Sequence, residues 1–262
     1  MFGNLPLTSL EALPVFALVL ARVAGLFSAI PIFGARIVPA RVKAGLVFVL
    51  SLLLYPVIHP QIPPDSTDTI SLVLLVLGEV LIGLTLGLMS QAIFAAVEFC
   101  GQLVGTQMGL SMASLFDPTT QNNVPTMAMF QGALATLLFV SLNAHHIFLR
   151  GIVESYQRIP IGGWHMSGGL LQFVIEASTG IFIIAVKLSA PVSVALLATS
   201  VVLGIVARAF PQMNVFMVSM PLNIGMGLAL LGISLPVFLR VLANSFGAMS
   251  GEMTTIFKLL GS

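Results

Sequence analysis

Charged side chains are scarce in this sequence. Ten lysines and arginines and nine aspartates and glutamates make up 7% of 262 residues, where ordinary soluble domains carry about 25%. With 58% hydrophobic residues, so few solvating groups exclude a soluble globular protein and leave a membrane protein. A net charge of +1 offers neither a basic face for nucleic acid nor an acidic tail, so no nucleic-acid partner is expected. The lone cysteine, Cys100, excludes an internal disulfide and a thiolate metal cluster built from one chain. The first eleven residues contain Glu11 but no lysine or arginine, which does not fit a cleavable secretory leader, so the first apolar segment is expected to be retained. No polar connection is long enough to bury a core of its own, and no soluble domain is expected.

Catalytic patterns are missing as well. No HExxH, no GxSxG elbow and no phosphate-cradling glycine loop occurs, and no cofactor or metal is expected. His145 and His146 are adjacent, so on a helix they diverge by about 100° and cannot grip one metal. They read as interfacial or hydrogen-bonded residues at the end of a helix. The chain does not read as an enzyme.

What the sequence does contain is a series of charge-poor stretches: Ala12 to Gly34, Ala44 to Ile58, Ile70 to Val97, Val124 to Leu149, Leu170 to Ala207 and Met213 to Leu239. They predict an all-α, polytopic membrane-associated protein of six helical units, several of them broken. The stretch from Ala209 to Leu239 has no charge, yet prolines at 211, 221 and 236 and glycines at 225, 227 and 232 interrupt it. As one helix it would run about 46 Å, more than the ~30 Å of a hydrocarbon core. Prolines free carbonyls that lipid cannot satisfy, which excludes one straight lipid-facing helix and calls for cover by other protein.

The loop at residues 35–43 carries Arg36, Arg41 and Lys43 and no acid, while the next connection carries Asp65 and Asp68 and no base. The first loop is therefore expected in the cytoplasm and the amino terminus outside. Alternation then places Arg208 in the cytoplasm but Arg150 and Arg158 outside, against the same rule.

Small residues recur every four positions in two places, where they bring helix backbones together. One stripe is Glu79, Gly83, Gly87 and Gln91; the other is Gly101, Gly105 and Gly109, overlapping Met108, Met112 and Phe116. These faces read either as packing within the chain or as contacts with other subunits. Arg22, Glu79, Glu98, Glu176 and Lys187 sit in or beside the apolar runs, where a midplane arginine, lysine or aspartate costs roughly 2.5 to 3.5 kcal/mol. Pairing is the first reading and a watery conduit the second. A proton relay has less support, because the three acids lie in different segments with no shared motif.

Residues 105–125 mix methionine, glycine and polar side chains between two apolar runs. Such a segment suits a lipid-facing helix no better than a surface loop, and irregular backbone at membrane depth must be buried in protein or line a cavity. Asp117 before Pro118 reads as a helix start. Flexible methionines can seal against variable shapes, so a plug is one reading and a connecting loop the other.

Together with Arg22 and Pro31, the Val38-Pro39-Ala40-Arg41-Val42-Lys43 loop, Gly83 and Gly87, and the glycines from 101 to 109, further marks follow in order. They are Asp117-Pro118, Asn143 with His145, Pro160-Ile161-Gly162, Pro191, Arg208-Ala209-Phe210-Pro211-Gln212-Met213-Asn214, and Pro221. In this order and spacing, over residues 12–245, the chain resembles the FliR family of flagellar export-gate proteins, related to the SpaR-type subunits of virulence secretion systems. Ala144 and Asn223 depart from the pattern, where relatives often have glycine and some carry lysine. The resemblance implies a FliP-like helical part over residues 1–187, including the plug-like loop at 105–125, followed by a FliQ-like hairpin and carboxy-terminal segment over 188–262. The hairpin would span Leu188 to Val241, with Arg208, Pro211 and Gln212 at its cytoplasmic tip.

It further implies FliP-like, FliQ-like and FlhB-like partner subunits, exported unfolded flagellar proteins as substrates, and a place in the bacterial inner membrane at the flagellar basal body. Met108, Met112 and Phe116 would occlude the passage, with Asp117 and Pro118 anchoring the plug. Two alternatives are a virulence export apparatus and an ion-coupled secondary transporter; the latter predicts an inverted repeat that the two halves do not display.

Overall fold

The structure, a computed structural model, describes residues 12–31, 38–58, 69–110, 125–163, 168–212 and 214–260. Among them are seven α-helices and no strand: α1 (Ala12–Ala29), α2 (Ala40–Ile58), α3 (Thr69–Gln107), α4 (Thr126–Ser141), α5 (His145–Arg158), α6 (Gly168–Ala209) and α7 (Val215–Leu260). Four are long and apolar enough to cross a membrane, over Ala40–Ile58, Ile70–Gln107, Leu171–Ala209 and Met217–Leu260, and the bent pair α4 and α5 would make a fifth. α1, one of the six expected units, is apolar but shorter. The chain is a polytopic helical membrane protein. With 39, 42 and 46 residues, α3, α6 and α7 are each longer than the roughly 20 residues a bilayer requires.

The helix ends follow local chemistry. Gly109, at φ 81°, stops α3 just beyond Gln107, and its amide donates to the Thr106 carbonyl at 3.0 Å. Asn143, at φ 53°, takes the left-handed conformation that asparagine tolerates better than most residues. That turn corrects the expected single unit from Val124 to Leu149, because α4 ends at Ser141 before it and α5 begins at His145 after it. Pro211 sits in the turn between α6 and α7, where the Ala209-to-Leu239 stretch breaks. Pro221 and Pro236 lie inside α7, as Pro191 does in α6 and Pro56 in α2. An internal proline removes one backbone hydrogen bond, and a helix held on both sides survives that loss with a kink. α7 also runs on to Leu260, well past the Leu239 boundary expected from composition.

The chain forms two compact units, neither continuous in sequence. The first comprises Met1–Ala92, Asn143–Ser178 and Phe246–Ser262; the second comprises Ile93–Leu142 and Thr179–Ser245. In the first, α1 is the central element, with Leu18, Val19, Val23 and Leu26 fully buried. Phe16 meets Phe48 and Tyr55 of α2 edge to face at centroid distances of 5.5 and 6.2 Å. The end of α7 joins this core through Phe246, Met249, Met253, Ile256, Phe257 and Leu260, a stripe at helical spacing. In the second unit, Phe94 stacks on Phe139 and Phe99 on Phe182, edge to face. Leu188 of α6 and Leu235 and Phe238 of α7 line one cavity of about 190 Å³. They lie at similar distances from the Pro211 turn, so the two helices run back along each other as a hairpin.

Candidate functional site

Glycines bring α1 and α3 into backbone contact. A Cβ on Gly83 would strike the Arg22 carbonyl oxygen and come within 2.8 Å of the Leu26 nitrogen; one on Gly87 would lie 2.5 Å from the Ala29 Cβ. Gly25 answers from the opposite side, where a Cβ would meet the Val80 oxygen at 2.5 Å. The first glycine stripe is therefore occupied within the chain. Its expected fourth member, Gln91, is exposed instead, because steps of four residues drift by about 40° each on a 3.6-residue helix.

The same close approach brings two charges together. Arg22 is 0% exposed and Glu79 1%. The guanidinium holds the carboxylate at both ends, Nε donating to Oε2 at 2.5 Å and Nη2 to Oε1 at 3.0 Å. Its other terminal nitrogen donates to Ser155 Oγ at 2.9 Å, and Nη2 also donates to the Ile159 carbonyl at 3.2 Å. The Tyr156 ring lies 3.7 Å from the guanidinium carbon. The bidentate geometry and the extra hydrogen bonds are what a buried ion pair needs to offset desolvation. One arginine thereby ties α1, α3 and the end of α5 into one unit. Sequence reading expected pairing for such charges but found no partner for Arg22, because 57 residues separate the two.

The second stripe divides. A Cβ on Gly101 would overlap α4 at Ala128, 2.6 Å from its nitrogen, and one on Gly105 would touch Met127 at 3.4 Å. Gly109 has left the helix and serves as its stop signal. Met108, expected to occlude a passage, is fully buried, and Gly227 of α7 makes room for it: a Cβ there would lie 2.6 Å from Met108 Cγ. Met112, Phe116, Asp117 and Pro118 lie outside the described residues. Arg208, Pro211 and Gln212 are all exposed at the turn of the α6–α7 hairpin.

Among the described residues, Glu98, Glu176 and Lys187 are neither buried nor joined into a relay. Glu98 accepts a hydrogen bond from Gln102 at 3.4 Å, and Glu176 one from Gln172 at 3.3 Å; both acids are exposed, as is Lys187. Arg158 pairs with Glu154 on the surface of α5. His145 and His146 open α5 with ring centroids 4.3 Å apart, and no group of three metal-binding side chains occurs among the described residues. Sequence reading missed that Glu98, Gln102 and Thr106 share one exposed edge of α3, although their spacing of four was legible.

Residues 13–249 match the family described as bacterial export proteins, family 1. The flagellar biosynthetic protein FliR of Bacillus subtilis is 35% identical over 255 residues, covering 96% of this chain and 98% of that protein. FliR of Escherichia coli K12 is 33% identical over 92% of both chains, and FliR of Aquifex aeolicus 30% identical over 91% of this chain and 92% of its own length. With the glycine-packed helices, the buried Arg22–Glu79 pair and the exposed hairpin turn all lying inside the matched span, the chain belongs to the FliR family of bacterial export proteins.

Proposed function

We propose that this chain is a subunit of the flagellar type III protein export gate, forming part of the conduit and of its closure. The observation that carries the mechanism is the bareness of its long helices. α6 and α7 expose large apolar side chains along much of their length, with Met217 at 75% and Ile233 at 76%, and each is about twice as long as one bilayer crossing needs. Such helices, with prolines inside them, suit sheathing by neighbouring polypeptides. FliP-like and FliQ-like chains are the proposed neighbours, with an FlhB-like chain alongside, in the bacterial inner membrane at the flagellar basal body. Unfolded flagellar proteins are the proposed cargo.

The subunit's part is passive and non-enzymatic, with energy supplied by other components. Residues 1–187 form the FliP-like part and 188–262 the FliQ-like hairpin and its tail, with Arg208, Pro211 and Gln212 at the cytoplasmic tip. The closure is the plug-like loop at residues 105–125, with Met108, Met112 and Phe116 occluding the passage and Asp117 and Pro118 anchoring the plug to the following helix. Met108 stands near the start of this loop, buried where Gly227 leaves room for it.

Purification in mild detergent with mass analysis tests the assembly: FliP-like and FliQ-like chains are expected to co-purify, and a stable solitary chain that ferries a solute would refute it. Deleting residues 110–116 is expected to raise ion leak across the membrane; unchanged leak removes the closure.

A further inference from the structure

α3 changes its outward face partway along. From Ile70 to Leu88 its exposed side chains include Ile70, Val73, Leu74, Leu77, Leu81 and Leu88, all large and apolar. From Met89 to Gln107 no large apolar side chain is exposed, and the exposed positions of the second unit's portion are Glu98, Gln102 and Thr106. Spaced by four, these three lie along one edge of the helix. Gln102 Nε2 donates to Glu98 Oε1 at 3.4 Å, and Thr106 Oγ1 turns back onto the Leu103 carbonyl at 2.9 Å. Among the described residues no cation pairs with Glu98.

We infer that Glu98, Gln102 and Thr106 form a water-facing strip lining the export passage, with Glu98 as its cation-attracting group. Acyl chains are a poor neighbour for an unpaired carboxylate with only an amide beside it, since ionisable groups in a membrane normally face a partner or a watery cavity. A dry protein partner would have to bring a compensating cation into contact with Glu98 and donors to Gln102, whereas water satisfies all three side chains at no such cost. The name of the passage rests on the export-gate reading; the wetness of the strip does not.

Cysteine accessibility tests the strip in the assembled complex in exporting cells. In a Cys100→Ser background, Glu98→Cys, Gln102→Cys and Thr106→Cys are expected to react with a membrane-impermeant thiosulfonate, while Leu74→Cys and the buried Val104→Cys do not. With Gln102→Cys as reporter, a cationic reagent is expected to outpace an anionic one, because a nearby carboxylate concentrates cations. Adding Glu98→Gln is expected to abolish that preference. Failure of all three positions to react, or a charge preference that survives Glu98→Gln, overturns the proposal. Deleting the whole chain and measuring flagellar export is a separate assay of the parent reading, so a dry strip in exporting cells and an export system indifferent to this chain are distinct failures.

Discussion

Two glutamates on α3 have opposite surroundings. Glu79 is sealed against Arg22, with every carboxylate oxygen engaged; Glu98, about five turns on, is exposed and accepts a hydrogen bond from Gln102, with no cation beside it among the described residues. Both sit in the same greasy helix, so the presence of a charge there carries no single meaning. Glu79 is structural, because its partner and its burial leave nothing for a ligand to contact. Glu98 is available, and availability is what a functional surface requires.

The contrast can be broken most forcefully at Arg22. Replacing it with alanine leaves Glu79 buried and unpaired, expected to cost about 3 to 5 kcal/mol in the thermal stability of the detergent-purified chain. The double replacement Arg22→Leu with Glu79→Leu is expected to recover much of that loss, since apolar groups can fill such a site; a double variant as unstable as the single one contradicts the pairing. In the second unit, Met108→Ala is expected to cost about 2 to 5 kcal/mol by emptying the space against Gly227, read by the same melting measurement.

Glycine positions sharpen the contrast at smaller magnitude. Gly83→Ala pushes a methyl group into the α1 backbone and is expected to destabilise by about 1 to 3 kcal/mol. Gly132→Ala, in α4 with nothing within 4 Å of its Cβ position, is expected to stabilise by up to about 1 kcal/mol, because alanine is the better helix former. Equal effects at the two sites would remove the close α1–α3 approach as an explanation. Smallest of all is Glu98→Gln, expected within about 0.5 kcal/mol of the parent because the group is exposed; a loss as large as that of Arg22→Ala would place Glu98 in a buried network.

Much of this was legible in the residues. The glycines at 83, 87 and 101 lie at close approaches between helices, and Arg22 and Glu79 were correctly suspect as charges in apolar surroundings. The partner was not legible, since pairing across 57 residues depends on how α1 and α3 are juxtaposed. Gly109 continued the four-residue spacing yet turned out to be a stop signal, because a left-handed glycine and a packing glycine look the same in sequence. Val124 to Leu149 read as one unit because Asn143 carries no charge and composition hides a conformational break. The prolines at 221 and 236 read as breaks and proved tolerable, because flanking turns hold a helix through one missing hydrogen bond.

Composition and spacing alone determined that this chain lives in a membrane, that it is helical, that its backbones approach at glycines and that it carries the marks of an export family. These properties are local or additive, set by hydropathy, propensity and residue size. Only the tertiary structure decided which charge is locked and which is free, that Met108 packs against Gly227, and that the end of α7 returns to the first unit's core. Those outcomes depend on which distant surfaces meet, and a side chain's surroundings are a property of that meeting, absent from any short run of residues.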